Sequence, residues 1–534
     1  RVKGSQLEGL KYEHPLLDLI PGLARLKLEN PIHRVVAEEF VDTGTGTGIV
    51  HLAPANGEED FQVATRLGIP VFAPIDDRVI FTDEAGKFAG VFARDADSMV
   101  SQILRERGSL VSEGRLNHEY PTCWRSGHRL VWVARREYFY WIDKIKADLV
   151  KASRAVECYF DQPKNRFLEF IKQSPPWCIS RERVWGTPLP IWVCSACKEK
   201  IPAFSRSAIH KLAQDLPDGP NFELHRPWID RVVLNCPRCG NKAYREPFVL
   251  DTWHNSGSAP YASMTDEEYR DLFPVDYLTE GIDQTRGWAY TLLVLNVILQ
   301  AKPIAPYKSF LFMGLVLDEK GRKMSKSLGN VVDALVMLKE GSVDLLRFYL
   351  MWKSSPVDTL SLDVKELSGR PYQVLNTLYH LHVYLHQNAQ LDGYDPRVHG
   401  LPWARRNRLL TIVENWLLSN LQRTVKGTLD AFKSARYNEA CKLIEQMVVE
   451  TFSQNYVRMV RNELWNDSDE EKRRRLGVYA VMGHVLKTLD LILHPVSPYM
   501  TEFLYQEVFN SRSRWLTPLL VERLPRLNLP ARAR

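Results

Sequence analysis

Four cysteines stand in two Cys-x2-Cys pairs, Cys194 with Cys197 and Cys236 with Cys239. Each pair sits in a short turn sequence, VCSACK or NCPRCG, of the kind that presents two sulfurs to one ion. Two such knuckles supply four thiolates, which suits a tetrahedral Zn2+ with no position left for water, so the chemistry expected is structural rather than hydrolytic. Four unrelated buried cysteines are the plainer alternative, against which the paired spacing argues. A second group lies in GRKMSKSLGN, residues 321–330, where Lys323, Ser325, Lys326 and Ser327 stand between Gly321 and Gly329. Two cations and two hydroxyls on a loop that can bend closely around a ligand fit a polyanion such as a triphosphate. A solvated lysine loop is the bland alternative.

Two further strings could bind a charged small molecule. In TEGIDQTRGWAYTLL, residues 279–293, Glu280, Asp283 and Gln284 precede an apolar helical run that starts at Trp288. Carboxylates at such a turn can receive an ammonium or ribose hydroxyls, although a capped surface helix would look the same. In TGTGTGIVHLAPANGEEDF, residues 43–61, His51, Asn56 and Asp60 bring a ring nitrogen, an amide and a carboxylate to the edge of a permissive loop. That set could bind an ammonium and position a water, or be no more than a flexible turn.

These residues need elements to hold them. Residues 1–130 read as α/β, with HRVVAEEFV and GIVHLAP as strands and a helix near 96–107 presenting Val100, Ile103 and Leu104 on one face. Residues 118–142 are rich in aromatic and β-branched side chains and read as strands. From about residue 365 the pattern is almost wholly helical, with Leu409, Ile412, Trp416, Leu417 and Leu421 recurring at helical spacing. Trp465 suits a core position as well as a base-stacking one.

At 534 residues the chain is long for one core, and roughly 150 residues per domain gives three or four domains. Ordinary hydrophobic and charged fractions exclude disorder and fibrous repeats. No unbroken run of about 18 apolar residues appears, so no membrane span is expected. Residues 401–534 carry 21 Lys and Arg against 14 Asp and Glu, which places the whole net excess of +6 in the last quarter and suits a phosphate-bearing partner. Cysteines spent on knuckles point to a reducing compartment. The chain begins on Arg and has no apolar leader, which suggests a fragment.

Taken in order, KMSKS followed by LGN resembles the nucleotide loop of class I aminoacyl-tRNA synthetases. The editing-type string GTGIVHLAP with Asp60 after it, WGTPLP, the knuckles and EGIDQTRGW resemble the isoleucyl members of that class in particular. The resemblance implies an α/β multidomain chain with a partial Rossmann-like class I catalytic domain and a C-terminal all-α bundle. Residues 1–130 would be an editing domain and 131–350 the catalytic half, with a zinc ribbon insertion at about 190–245. Residues 351–395 would be a connecting helical region and 396–534 an anticodon-binding domain. It further implies ATP-dependent formation of isoleucyl-adenylate, transfer to tRNA(Ile), and hydrolytic editing of Val-tRNA(Ile).

By that resemblance Lys323, Ser325 and Lys326 are catalytic. Lys326, Glu280, Gly281, Asp283 and Gln284 contact ATP or the adenylate, and Trp253 and Trp288 wall the amino-acid pocket. Asp60, His51 and Thr47 belong to editing, and Cys194, Cys197, Cys236 and Cys239 hold structural Zn2+. Mg2+ would arrive with ATP. The partners implied are tRNA(Ile), ATP and L-isoleucine, with no membrane, for a cytoplasmic monomer. A valyl enzyme is one alternative, and a non-ligating trans-editing or tRNA-binding protein another.

The chain departs from the family pattern in five places. It has no His-Ile-Gly-His signature, so it is expected not to form the adenylate by itself, and no threonine-rich segment precedes the editing string. The family's WF[D/E]SG reads Trp253-His254-Asn255-Ser256-Gly257, and Asn56 stands where many relatives have His. Cys123 is followed at the third position by Ser126, so no metal pair is expected there.

Overall fold

The apolar runs near the N-terminus do not become strands. A computed structural model of the chain describes residues 2–510 apart from 43, 45, 46, 115–118, 124 and 125. Part of the glycine–threonine run, part of the 118–142 segment and the last 24 residues of the bundle region therefore lie outside the described residues. The chain divides into two units, Arg1–Glu137 and Tyr138–Arg534.

In the first unit, pairing among the described residues is confined to isolated bridges: Lys11 with Arg34, Ile75 with Phe81, Ile80 with Phe92 and Thr122 with Arg129. The segments expected as strands, HRVVAEEFV and GIVHLAP, run as irregular chain, and Ile49 and Val50 are exposed. Pairing is brief, with Val35 N donating to Leu10 O (2.8 Å) and Tyr12 N to His33 O (3.0 Å), and a β-branched run becomes a strand only where such pairing continues. The helix expected near 96–107 is present as Ala96–Glu106. Its Ile103 is buried, and Val100 and Leu104 pack with Leu16, Ala85 and Phe88.

The second unit is built around a parallel three-stranded sheet in the order Val275–Gly281, Tyr307–Met313, Glu157–Cys158. The helix Trp288–Gln300 connects the first two strands, and every residue from Ala289 to Val297 is buried, most of them against that sheet and the helices Lys146–Arg154 and Asp161–Gln173, Thr291 and Leu295 against Gly257. Such an all-round apolar helix is what a crossover in a parallel sheet requires. The register sets Gly281 beside Met313, so both strands release their following loops at the same end. Ligands in open α/β sheets bind at that end. Among the described residues of 118–142, only Phe139–Tyr140 forms a strand, paired with Trp177–Cys178.

The cysteine-bearing insertion is more than a ribbon. Its five-stranded antiparallel sheet runs Lys200–Pro202, Ile191–Cys194, Lys242–Arg245, Val233–Asn235, Ala213–Asp215. It has its own core of Trp192, Ile201, Phe222, Ile229 and Leu234, with Trp192 Nε1 donating to Val232 O at 2.8 Å.

From Arg370 to Asn510 the elements are all helices, as the periodicity predicts. Two of the five residues read as one face point elsewhere. In the helix Ile412–Lys433, Leu417 and Leu421 are buried, whereas Ile412 is 84% exposed and Trp416 sits at the surface. The core stripe runs through Val413, Leu417 and Leu421, one residue out of step with Ile412 and Trp416. Trp465 is also not core: it is 66% exposed, with the Arg461 guanidinium 5.4 Å over its ring. The helix Lys472–Leu493 is long and apolar enough by composition to cross a membrane, and here most of it is buried at the centre of the bundle. The end of the catalytic part is stapled to this bundle. Asp344 Oδ2 accepts from Met500 N (2.5 Å), and Arg347 donates to Val496 O (2.9 Å) and Pro495 O (3.0 Å).

Candidate active site

The lysine loop is folded on two side chains that sequence reasoning did not single out. Asp318 is 4% exposed, although it lies in a loop. Its Oδ1 accepts the backbone N–H groups of Lys320 (3.0 Å) and Arg322 (2.8 Å), and its Oδ2 accepts Arg322 Nε and Asn330 Nδ2, both at 2.9 Å. Asn330 closes the other side: its Oδ1 accepts from Ser325 N (2.9 Å) and its Nδ2 also reaches Lys323 O (3.2 Å). The Asn330 amide and then the Arg322 N–H hold the Asp318 carboxyl down to about 2. Gly321 and Gly329, at φ +73° and +64°, make the two reversals that this closure needs. The signal was present in Asp318-Glu319-Lys320-Gly321, the Asp-x-x-Gly spelling of a type I turn.

On this frame Lys323 and Lys326 are exposed, and neither ammonium has an ion-pair partner among the described residues. Ser325 turns inward and accepts from Leu328 N (3.3 Å), capping the short turn Lys326–Leu328. Two free cations on a pre-folded loop, released from the C-terminal end of the sheet, are placed to meet an anion at low entropic cost.

The EGIDQTRGW turn leaves the same end of the sheet. Glu280 and Gly281 end the strand, and Ile282–Arg286 forms a single tight turn before the buried helix. Gln284 ties it together, donating from Nε2 to Asp283 Oδ2 (2.9 Å) and accepting Trp288 N on Oε1 (2.8 Å). A Cβ on Gly287 would stand 2.3 Å from Gln284 Oε1, so a larger residue there would push the Gln284 amide off Trp288 N. Trp288 packs beside the helix that carries Trp253. Its Nε1 donates to Ser256 O (2.9 Å), locking the ring onto the short helix Thr252–Gly257. Trp253 lines a cavity of about 200 Å3 with Phe170, Pro176, Trp177, Arg286 and Tyr290.

Asp251 sets that helix and was also missed, although an Asp before a helix is a readable cap. It is buried; Oδ1 accepts from Trp253 N (3.2 Å), and Oδ2 accepts from Trp177 Nε1 (2.9 Å) and Arg181 (2.8 Å). His254, where the family has an aromatic residue, lies 3.1 Å from Tyr140 Oη through Nε2, and burial holds its pKa below the ordinary value.

The four cysteines converge as predicted. Sulfur–sulfur distances are 3.5 Å for Cys194–Cys239, 3.6 Å for Cys197–Cys236 and 3.4 Å for Cys197–Cys239, and all four lie within 4.8 Å of one another. Four thiolates about 2.3 Å from a Zn2+ stand about 3.8 Å apart, so the set fits such an ion with little movement. Each knuckle turns on a left-handed residue just after its second cysteine, Lys198 at φ +59° and Gly240 at φ +73°. Asn241 Nδ2 points at Cys239 Sγ (3.4 Å) and holds that thiol down to about 6, in the direction metal ligation requires.

In the first unit His51 and Asn56 line one cavity together with Ala53, whose N–H donates to Asp60. His51 lies on the wall of cavities of about 780 and 330 Å3. Asp60 is in the first turn of the helix Glu58–Leu67, and its Oδ2 accepts Ala53 N at 3.0 Å. Asn56 Nδ2 donates to Trp132 O (2.8 Å), and Thr47 Oγ1 accepts Ile49 N (3.3 Å) within its own turn. The 330 Å3 cavity also brings in His14 and His33, whose rings stack at 5.1 Å.

Comparison with known proteins gives this arrangement its family. The profile of class I tRNA synthetases (I, L, M and V) matches residues 28–363, and that of the anticodon-binding domain of tRNA ligases matches residues 414–526. A protein named isoleucine--tRNA ligase from Methanothermobacter thermautotrophicus is 36% identical over 513 residues, covering 95% of this chain and 48% of the relative. Its counterpart from Pyrobaculum aerophilum is 37% identical, covering 94% of this chain and 51% of the relative. The chain thus spans about half the length of the curated relatives it matches. A solved methionyl-tRNA synthetase from Mycobacterium tuberculosis with methionyl-adenylate has the same fold at a TM-score of 0.53 and 17% identity, covering 76% of this chain and 70% of that one. With the class I model matching well over half of the chain and the anticodon-binding model the helical region after it, the chain belongs to the class I tRNA synthetases of the isoleucine, leucine, methionine and valine group.

Proposed function

We propose that this chain carries the phosphate-handling and tRNA-reading part of an isoleucine–tRNA ligase. The observation that supports it most is the lysine loop, held in shape by Asp318 and Asn330 so that Lys323 and Lys326 project without partners. In this reaction the carboxylate of L-isoleucine attacks the α-phosphorus of ATP, and pyrophosphate leaves. The two lysines stabilise the charge that grows on the leaving group, an interaction stronger in the transition state than before it. Mg2+ on the ATP phosphates supplies further charge neutralisation. Glu280, Asp283 and Gln284 hold the ammonium and ribose of the adenylate, and Trp253 bounds its side chain. The basic helical region takes tRNA(Ile), and Cys194, Cys197, Cys236 and Cys239 hold structural Zn2+.

Residues 43–61 belong to a hydrolytic second site for Val-tRNA(Ile). One methylene in an apolar pocket is worth roughly 1 to 3 kcal/mol, a general figure for which the isoleucine-versus-valine choice of this enzyme class is itself the usual illustration, and binding alone therefore falls short. The domain boundaries, the monomeric state and the cytoplasmic location implied by the family form part of the same reading.

The test is binding of tRNA(Ile), tRNA(Val) and tRNA(Met) to the purified chain. Tighter binding of tRNA(Ile), by tenfold or more, is the expected result; equal binding of all three, or a preference for tRNA(Val), overturns it. For the metal, one zinc per chain is expected, lost in the double variant Cys194→Ser, Cys236→Ser. Zinc content unchanged by that pair would remove the knuckle assignment.

A further inference from the structure

One aromatic pair beside the knuckle sheet is used neither by the pocket nor by the lysine loop. Trp185, in the WGTPLP string, is 71% exposed, and its indole lies parallel to the His225 imidazole, with centroids 4.7 Å apart and planes 5° from coplanar. The pair is held rigidly. Glu223 Oε1 accepts His225 N (3.0 Å) and lies 2.8 Å from His225 Nδ1. Arg226 donates from one nitrogen to Arg183 O and Pro247 O, both at 2.8 Å, joining the two loops that carry the rings. Behind the indole, a Cβ on Gly186 would stand 3.1 Å from Val249 Cγ2, so the loop is pressed flat on the strand Val249–Leu250.

The platform is tied to the pocket. Thr187, two residues after Trp185, accepts on Oγ1 from Asn255 Nδ2 (3.0 Å), and Asn255 is on the short helix that carries Trp253. The Arg183 guanidinium is exposed and has no ion-pair partner among the described residues. Along the chain the rings are flanked by the charged Glu182, Arg183, Glu223 and Arg226 and by the exposed Val184, Leu224 and Trp228. The surface presents a flat exposed ring with the Arg183 cation two residues away, an arrangement well suited to a nucleobase with its phosphate.

We propose that Trp185, backed by His225, is a stacking platform for an unpaired base at the 3′ end of the tRNA, with Arg183 on the adjoining phosphate. The proposal rests on the reading that this chain takes tRNA. The 3′ end that receives an amino acid is single-stranded and has to reach the pocket, and a π-face accepts any base presented to it. His225 acts through Trp185 and is a positioning residue.

The test compares intact tRNA(Ile) with the same tRNA lacking its last four nucleotides, on wild-type protein and on Trp185→Ala and Trp185→Phe. A 2-aminopurine in the intact 3′ end reports stacking by its quenching. Trp185→Ala is expected to weaken intact tRNA by about 5- to 150-fold and abolish the quenching. The same variant should leave the truncated tRNA unaffected, and Trp185→Phe should keep most of both signals. Unchanged zinc content and circular dichroism show that the variant folds. Weakening of both tRNAs alike, or of neither, overturns the platform while leaving tRNA binding intact; binding of no tRNA by the wild-type chain overturns both readings. Protection of Trp185 by a co-purifying protein, with the quenching unaltered in Trp185→Ala, would assign the patch to a protein instead.

Discussion

The loop at 318–330 and the loop at 47–61 are similar in composition, each bringing charged and hydroxyl groups to a glycine-rich turn, yet they are held in opposite ways. The first spends an internal carboxylate and an internal amide, Asp318 and Asn330, on its own backbone, and so leaves its cations free for a ligand. The second spends its candidate ligand groups on itself: Asp60 on Ala53 N, Asn56 on Trp132 O, Thr47 on its own turn. A site is ready to act when its fold is fixed by residues other than those that meet the ligand. By that measure the lysine loop is ready to meet a ligand, whereas the 47–61 loop has its candidate ligand groups engaged in holding its own shape.

The sharpest way to break this contrast is to remove the free cations. On the product of the whole reading frame, Lys323→Ala and Lys326→Ala are each expected to lower isoleucine-dependent exchange of pyrophosphate into ATP by about 100- to 1000-fold, the size seen when one transition-state donor is lost. Hydrolysis of Val-tRNA(Ile) should be unchanged. A variant that lowers both activities equally would mean that the loop supports the fold rather than the chemistry.

Next come the residues that shape the loop. Asn330→Ala removes three hydrogen-bonding roles at once and should cost about tenfold in the same exchange, with faster amide exchange across residues 318–330 and little change elsewhere. Asp318→Asn keeps the size but replaces one of two accepting oxygens by an N–H donor facing other donors, and loses the carboxylate held down to about 2. A depressed carboxyl contributes stability above its unfolded value near 4 that is lost as pH falls through about 2, so the wild-type loop should keep its protection to near pH 3. Loss of protection already at pH 5 would contradict the clamp.

This difference between loops also marks what could be read from the sequence. The knuckles were fully legible because metal ligands must be near in sequence pairs to form a turn, and the structure brings Cys194, Cys197, Cys236 and Cys239 within 4.8 Å. The buried helix Trp288–Gln300 and the helical C-terminal region were legible because nine or more apolar residues in register leave few alternatives. Asn330 was not singled out, since its backbone partners lie 5 and 7 residues away and such spacing has no periodicity, whereas Asp318 and Asp251 carried a turn and a cap signal that the motif reading passed over. The strands expected in 1–137 failed for a different reason: strand propensity says that a segment fits a sheet, not that a neighbour is there to pair with it. Ile412 and Trp416 share a helix period with the core residues but not its phase, and the period alone does not fix which stripe faces in.

Asp60 tests the other side of the contrast with a smaller effect. Asp60→Ala leaves Ala53 N without its acceptor and should destabilise the first unit by about 1 to 3 kcal/mol. Asp60→Asn retains an oxygen acceptor and should fold normally. If the carboxylate also holds a substrate ammonium, Asp60→Asn loses Val-tRNA(Ile) hydrolysis while keeping the stability of the wild type. Full hydrolysis by Asp60→Asn would reduce Asp60 to a structural residue.

The smallest expected effect concerns the histidines on the cavity wall of the first unit. Burial, and then the neighbouring His33 and His51, hold the His14 imidazole down to about 4. Its Nδ1 accepts Leu16 N at 3.2 Å, an interaction that only the unprotonated nitrogen can make. The folded state therefore excludes a proton that the unfolded chain takes up near 6.5, so the stability His14 contributes is full above that pH and is lost progressively as pH falls toward 4. Amide exchange in residues 12–35, followed from pH 7 to pH 5 and corrected for the intrinsic rate, should show protection falling. His14→Asn keeps an acceptor for Leu16 N but does not titrate, and its protection should stay level across the same range. An identical fall in His14→Asn and wild type would remove His14 as the cause and transfer the effect to His33, which stacks on it and is also held below its ordinary value by burial.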